Sequence, residues 1–343
     1  MPVGSCKDCG FPGGSLYSLA GRNGGFHGRL AVKYESDCNM DLSQQMSLPA
    51  RPHQTMDAMR QLLLDILRAQ AGESARGWLD KALAAAVAPV HANTLLGYHA
   101  GASRRMGKQV LKLTRHEAAR LAETAPGVSF AEWGGDEFAR AVLLLSLYSL
   151  DTETRRELIY QCYEKGDSRE QESWLRILPL LPDGETFLDT AIDACRTNIV
   201  PVFEAIACEN PYPLKYFPEA NFNQVVLKAL FMGLAIHRIF GLESRFNPEL
   251  SRMCADYVSE REAAGRSVPA DIWLALAPCA ENGRLSRVAA YLHHEETAHR
   301  YWAARGLGFS KAAESRALLN GRAGTEQEQK VAGAIQDALE KLG

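Results

Sequence analysis

The chain has 343 residues, 46% of them hydrophobic and 23% charged, and a formal net charge of −3. That apolar fraction excludes a disordered polymer, and the near-neutral charge removes the simplest argument for a nucleic-acid or membrane-surface protein. The length suits about two domains, or one long repeat array. Glycine is unevenly supplied, with eight of the 28 glycines inside residues 1–30. Residues 1–50 therefore read as a disordered Gly-rich extension, and Met40, Met46 and Met56 each offer an alternative start. Residues 1–30 lack the basic start and apolar stretch of a secretory signal. The longest uncharged apolar run, Ala141 to Leu150, is about half the length needed to cross a bilayer. The expected location is the cytoplasm. Eight cysteines in a chain this long do not make a disulfide scaffold. Cys162, Cys195, Cys208, Cys254 and Cys279 each stand alone in apolar surroundings and read as reduced thiols. Cys6, Cys9, His27 and Cys38 have the donor types for zinc but no second CxxC; a loose tail is the first reading and a metal site the second.

Helical periodicity starts near Pro52, where Met56, Met59, Leu63 and Ile66 mark one buried face. Glu73 to Val87 is a second helix, stopping before Pro89. A basic segment follows, with Arg104, Arg105, Lys108, Lys112, Arg115 and Arg120 against the single acid Glu117; Lys108, Lys112 and Arg115 are expected on one helix face. Thr114 to Thr124 is a helix stopped by Pro126-Gly127, and Asp136 to Leu150 reads as a deeply buried helix. Thr152 to Lys165, Ser168 to Leu178 and Thr186 to Asn198 follow, with Pro201 opening the next short helix. Asn221 to Phe240 is expected to be the longest helix. Pro248 to Ala264, Pro269 to Ala277 and Leu285 to Ala304 come next, and a last helix spans Glu326 to Leu342. No strand–turn–strand signal is present. The fold class is all-α. Helix pairs starting near 151, 185 and 221 suggest a HEAT/armadillo-like α-solenoid of antiparallel pairs, with an irregular compact helical bundle as the alternative. The helical domain covers 51–308, and 309–343 is a polar C-terminal tail with a helix.

The densest polar stretch runs from Asp193 to Lys228. Asp193 and Arg196, three residues apart, suit a solvated ion pair, or Arg196 and Asn198 point at the turn before Pro201. Glu204, Glu209 and Asn210 border the apolar run Val202 to Cys208, where a carboxylate must find a partner or stay exposed; Arg196 and Lys228 are the expected partners. Such a pair would either hold two repeats in register or do acid–base work. Asn221 and Gln224 fit a capping-box variant; alternatively Asn221, Gln224 and Lys228 share a helix face that could hold a phosphate or carboxylate. Asn223 lies between them and completes the candidate set. His293, His294, Glu295, Glu296 and His299 do not have HExxH spacing, and Glu296-x-x-His299 supplies half of a di-iron ligand set with no second ExxH. A polar helix face is the first reading there. No Walker loop, Rossmann glycine motif or nucleophile elbow occurs.

The strings Asp193-Ala-Cys-Arg-Thr-Asn198, Phe203-Glu-Ala-Ile-Ala-Cys-Glu-Asn-Pro-Tyr-Pro213, Tyr216-Phe-Pro-Glu219 and Asn221-Phe-Asn-Gln224 with Val226-Leu-Lys-Ala-Leu230 resemble the EboA family. Trp174-Leu-Arg-Ile-Leu-Pro-Leu-Leu-Pro182 and the Arg252-Met253, Asp256-Tyr257 and Glu260 to Pro269 segments support it. The likeness covers about Arg60 to Ala277. It implies a helical protein of metabolite traffic, encoded beside a prenyltransferase-like membrane protein, TIM-barrel hydrolase or isomerase relatives and a dehydroquinate-synthase-like enzyme, and associated with moving secondary-metabolite precursors towards the periplasm. It carries over no catalytic residues, metal or cofactor. The resulting expectation is a non-catalytic accessory protein that binds a small metabolite or those pathway proteins, without membrane insertion and without nucleic acid. The competing expectations are a lyase-like acid–base enzyme, with Glu204 or Glu209 as base and Lys228 or Arg196 holding an anionic substrate, and a nucleic-acid-binding repeat using Lys108 to Arg120.

Overall fold

A computed structural model describes residues 53–281 and 283–343; the Gly-rich extension, with Cys6, Cys9, His27 and Cys38, lies outside them. The described chain is built from helices: α1 His53–Gln70, α2 Glu73–Ala85, α3 Ala92–Met106, α4 Arg115–Thr124, α5 Gly135–Ser146, α6 Thr152–Glu164, α7 Ser168–Ile177, α8 Leu188–Ala194 and α9 Val200–Ala207. There follow α10 Tyr212–Tyr216, α11 Glu219–Met232, α12 Pro248–Ala263, α13 Ile272–Leu276, α14 Gly283–Tyr291, α15 Thr297–Leu307, α16 Glu314–Ala323 and α17 Gln329–Lys341. The β pairing among the described residues is a single bridge between Val110 and Gly134. The all-α expectation holds.

Helix starts follow local chemistry. Thr114 accepts from the Glu117 amide while the Glu117 carboxylate accepts from Thr114, a reciprocal capping box on α4. Asp151, Asp167 and Asn247 cap α6, α7 and α12 by accepting from backbone amides two or three residues on. The centre of the N-terminal half is α5, buried at every residue from Gly135 to Leu145 and covered by α1, α3 and α7. From there the packing runs as a relay, α7 to α9, α9 to α11, α11 to α12, α12 to α13, α13 to α15 and α15 to α17. The pairs expected near 151, 185 and 221 are α6 on α7, α8 on α9 and α11 on α12. Their members range from 7 residues in α8 to 16 in α12, with 3-10 turns between them, so the units are unequal. Trp133, Trp174 and Trp273 are buried along this relay, and the Trp174 indole donates to the Ile159 carbonyl at 2.8 Å.

Several boundaries differ from expectation. The longest described helix is α1, with 18 residues; α11 stops at Met232, because Gly233 takes a left-handed φ of 73° and turns the chain back. The apolar character of Leu234 to Phe240 masked that stop. Lys108 and Lys112 are not on a helix face: α3 ends at Met106 and the chain is extended until Arg115 opens α4. The helix read over Leu285 to Ala304 is broken at His293–Glu296 into α14 and α15. Beyond Gly308, α16 packs on α17, and α17 buries Val331, Ala334, Ile335 and Ala338 as it packs on α15. Cys162, Cys195, Cys208, Cys254 and Cys279 are all free, and burial pushes the thiols of Cys162, Cys195 and Cys208 up to about 12, so they stay protonated at neutral pH. Among the described residues, no helix is long and apolar enough to cross a membrane.

Candidate functional site

The stretch from Asp193 to Lys228 contributes the end of α8, the α8–α9 turn, α9, α10 and most of α11. Its two glutamates meet, but on a residue outside the stretch. Arg238, in a 3-10 turn after Gly233, donates from Nε and Nη2 to the two oxygens of Glu209 at 2.7 and 2.8 Å, and from Nη1 to Glu204 Oε1 at 2.6 Å. The Glu209 amide also donates to the Arg238 carbonyl at 2.9 Å. Glu209 sits at φ 47°, in the left-handed region, and this forked pairing is what holds it there. The bonds it donates to Glu209 keep the Arg238 guanidinium charged, with its pKa raised above the usual arginine value. The expected partners, Arg196 and Lys228, are elsewhere. Arg196 pairs only with Asp193, at 3.6 Å on an exposed surface, a geometry of little energetic weight.

Lys228 acts as a staple. Its ammonium donates to the carbonyls of Cys195 and Thr197 at 2.7 and 2.6 Å and lies 5.3 Å from the centre of the Phe203 ring. The Cys195 carbonyl belongs to the C-cap of α8, where a cation is favoured, and the Thr197 carbonyl to the turn that follows. Burial holds the Lys228 ammonium below the ordinary lysine value. Lys228→Met should loosen this turn at a cost of about 1–2 kcal/mol, read as a lower urea midpoint and faster amide exchange at residues 195–200. Asn210 is buried, donates to the carbonyls of Leu175 and Ala205 at 3.0 and 2.8 Å and accepts from the Tyr212 amide. Asn223 exchanges amide hydrogen bonds with Asn247, the cap of α12. The capping box expected at Asn221 and Gln224 does not form: α11 starts at Glu219, after Pro218.

The candidate residues thus divide in two. Glu204, Glu209, Asn210, Asn223 and Lys228 are interhelical fasteners, with Asn210 and Asn223 buried, Glu204 and Lys228 half-buried and Glu209 exposed. Asp193, Arg196, Asn198 and Gln224 are exposed, and apolar side chains lie among them. Ile199 and Val200 are 45% and 42% exposed at the start of α9. Phe231, one turn beyond Lys228 and two beyond Gln224 on α11, is 77% exposed. The Lys228 staple brings the α8–α9 turn against α11, so these apolar residues and polar neighbours belong to adjoining elements of one face.

The sequence reading missed a larger buried charge cluster on α5. Asp136 accepts from Ser103 Oγ at 2.8 Å, from Arg140 Nη1 at 3.0 Å and from Arg169 through both Nε and Nη2 at 3.0 Å. Glu137 accepts from the Gly134 amide at 2.8 Å, Arg169 at 2.9 Å and Arg176 at 2.7 Å. Glu172 bridges Arg169 and Arg176, each at 3.0 Å. Arg140 completes its bonds on Ser103, Ser173 and the His99 carbonyl. Three carboxylates face three guanidiniums, so the cluster is neutral. Burial pushes the Asp136 carboxyl up, but the bonds from Arg169 and Ser103 and the charges of Arg169 and Arg140 outweigh it and hold the pKa below the ordinary range. The signal was legible: Asp136, Glu137 and Arg140 interrupt a helix otherwise apolar on all sides, and buried charges there require partners. Arg169, Glu172 and Arg176, spaced three and four apart on α7, are those partners.

The histidine-rich segment is also engaged. His299 Nδ1 accepts from the Trp273 indole at 2.8 Å, and Glu296 is the residue preceding α15 rather than a helix-face ligand. Among the described residues, no three His, Cys, Asp or Glu side chains are arranged to hold a metal ion. An open groove of about 950 Å³ lies between α6 and the start of α8, lined by Thr152, Arg156, Tyr160, Gln161, Phe187 and Thr190 among others.

These features define an all-helical protein whose helices are joined by a buried charge cluster on α5 and by polar fasteners between α7 and α12. The family profile described as "Metabolite traffic protein EboA" matches residues 59–277, and the chain belongs to that family. No curated protein and no solved structure matches the chain.

Proposed function

We propose that this is a cytoplasmic, non-catalytic accessory protein of secondary-metabolite precursor traffic, which docks pathway proteins through the face formed by the α8–α9 turn and α11. The observation that carries this reading is Phe231, an aromatic side chain 77% exposed on a helix within the family-matched span. Ile199 and Val200 extend its apolar area, and Asp193, Arg196, Asn198 and Gln224 supply polar groups around it. An exposed aromatic anchor with polar surroundings is the arrangement of an interface hot spot. The Lys228 staple holds the α8–α9 turn against α11 before binding, which lowers the ordering cost of association. The prenyltransferase-like membrane protein and TIM-barrel enzymes implied by the family resemblance are the partners to test.

Phe231→Asp combined with Ile199→Asp should reduce recovery of those proteins in co-purification from cells expressing the whole cluster by ten-fold or more, with thermal melting unchanged. Unchanged recovery would refute this face. The acid–base reading has weaker support, because Glu204 and Glu209 are both bound to a charged arginine and Lys228 to backbone carbonyls. A metabolite-binding reading is favoured by the α6–α8 groove, whose Tyr160, Gln161 and Thr190 offer stacking and hydrogen bonds; mass spectrometry of small molecules retained on the purified protein tests it.

A further inference from the structure

The segment from Arg104 to Arg120 concentrates charge that the chain as a whole does not have. Arg104, Arg105, Lys108, Lys112, Arg115 and Arg120 are all exposed, and none belongs to an ion pair among the described residues. The single acid in the segment, Glu117, is occupied by the α4 capping box. Between α3 and α4 the chain forms an extended ribbon pinned along both edges. On one edge, Asp136 donates to the Gly107 carbonyl at 2.9 Å, Gly135 to the Gln109 carbonyl at 3.2 Å, and Leu111 to the Trp133 carbonyl at 3.1 Å. On the other, the Gln70 side-chain amide pairs with both backbone groups of Lys112, at 3.0 and 3.1 Å.

Side chains of an extended chain alternate between its faces. Leu111 and Leu113 pack inward on the core. Lys108, Val110 and Lys112 share the opposite face, and Val110 is 46% exposed between the two lysines. The result is a rigid cationic platform with an apolar residue at its centre.

We propose that this platform docks the protein on the surface of an anionic lipid bilayer. Cations within a Debye length of such a surface are attracted to it, and a lone aliphatic side chain among them can enter the headgroup boundary. Nucleic acid fits the same charge less well: Arg104 to Arg120 contains no Phe, Tyr or Trp on which a base could stack, and the ribbon presents no helix for a major groove. The platform lies on different residues from the Phe231 face, so the two readings fail separately.

The test is sedimentation of the full-length protein with phosphatidylcholine vesicles, with and without phosphatidylserine, at low and high salt. The expected result is binding only to the phosphatidylserine vesicles and only at low salt. Each cation contributes about a five-fold change in partitioning, so Lys108→Gln, Lys112→Gln and Arg115→Gln together should lower binding about a hundred-fold. The control triple Arg266→Gln, Lys311→Gln and Arg316→Gln changes net charge equally at exposed sites elsewhere and should leave binding nearly intact. Circular dichroism melting of both triples verifies their folding. The proposal is overturned if the wild type does not sediment, if both triples lose binding equally, or if the protein binds duplex or single-stranded DNA more tightly than vesicles through the same three residues.

Discussion

Asp136→Ala is expected to destabilise the protein by about 3–5 kcal/mol, the range for removing one partner from a buried ion pair. The substitution leaves Arg140, itself almost wholly buried, without its carboxylate, and strips Arg169 of two of its bonds. Because α3, α5 and α7 all contribute to the cluster, the loss should appear as a lower urea midpoint for the whole transition. It also has a pH signature. The folded-state pKa of Asp136 lies below its unfolded value, so its stabilisation is fully present above the unfolded value, about 3.9, and is lost as pH falls through the folded pKa. The variant should therefore be less stable at neutral pH and show a shallower loss of stability on acidification. Equal stability of the two proteins at pH 7 would contradict a cluster that holds these helices together.

The second large effect is expected from Gly306→Ala. In an isolated helix this change would be favourable by about 1 kcal/mol. Here a Cβ at Gly306 would collide with the Trp273 carbonyl oxygen and lie 2.9 Å from the Ala277 Cβ. Backbone cannot withdraw as a flexible side chain can, so α15 must move off α13, and overpacking of this kind costs about 1–3 kcal/mol. The sign decides between two arrangements. If residues beyond 277 pack on the family-matched segment as α13 and α15 do here, the variant melts at lower temperature and amide exchange quickens in α13, α15 and α17. If α15 to α17 were a loosely attached appendage, the alanine would raise stability.

What the sequence disclosed and what it withheld follow from the range of the interactions involved. Helix starts near Thr114, Thr152, Ser168 and Pro248 were readable because caps act within three residues. The family strings were readable because they are contiguous. The partner of Glu204 was not, since Arg238 lies 34 residues away along the chain and on the far side of a turn hidden by apolar residues. The same limit applied to Lys228, whose acceptors are backbone carbonyls and leave no mark on residue identity. The basic segment was visible as charge, but its extended conformation depends on Gln70, 42 residues earlier. The α5 cluster is a different case, since its charges were legible and went unread in favour of the surrounding hydrophobicity.

The string Phe203 to Pro213 can now be read residue by residue. Phe203 lies beneath the Lys228 ammonium, Glu204 and Glu209 clasp Arg238, Asn210 ties α7 to α9, and Tyr212 reaches the Gly184 carbonyl at 2.7 Å. These side chains are spent on joinery, and among them Glu209 alone is still exposed. Two proteins alike in this string would share this framework, and on the docking reading proposed above their partners would differ with the residues at 193, 196, 198–200, 224 and 231.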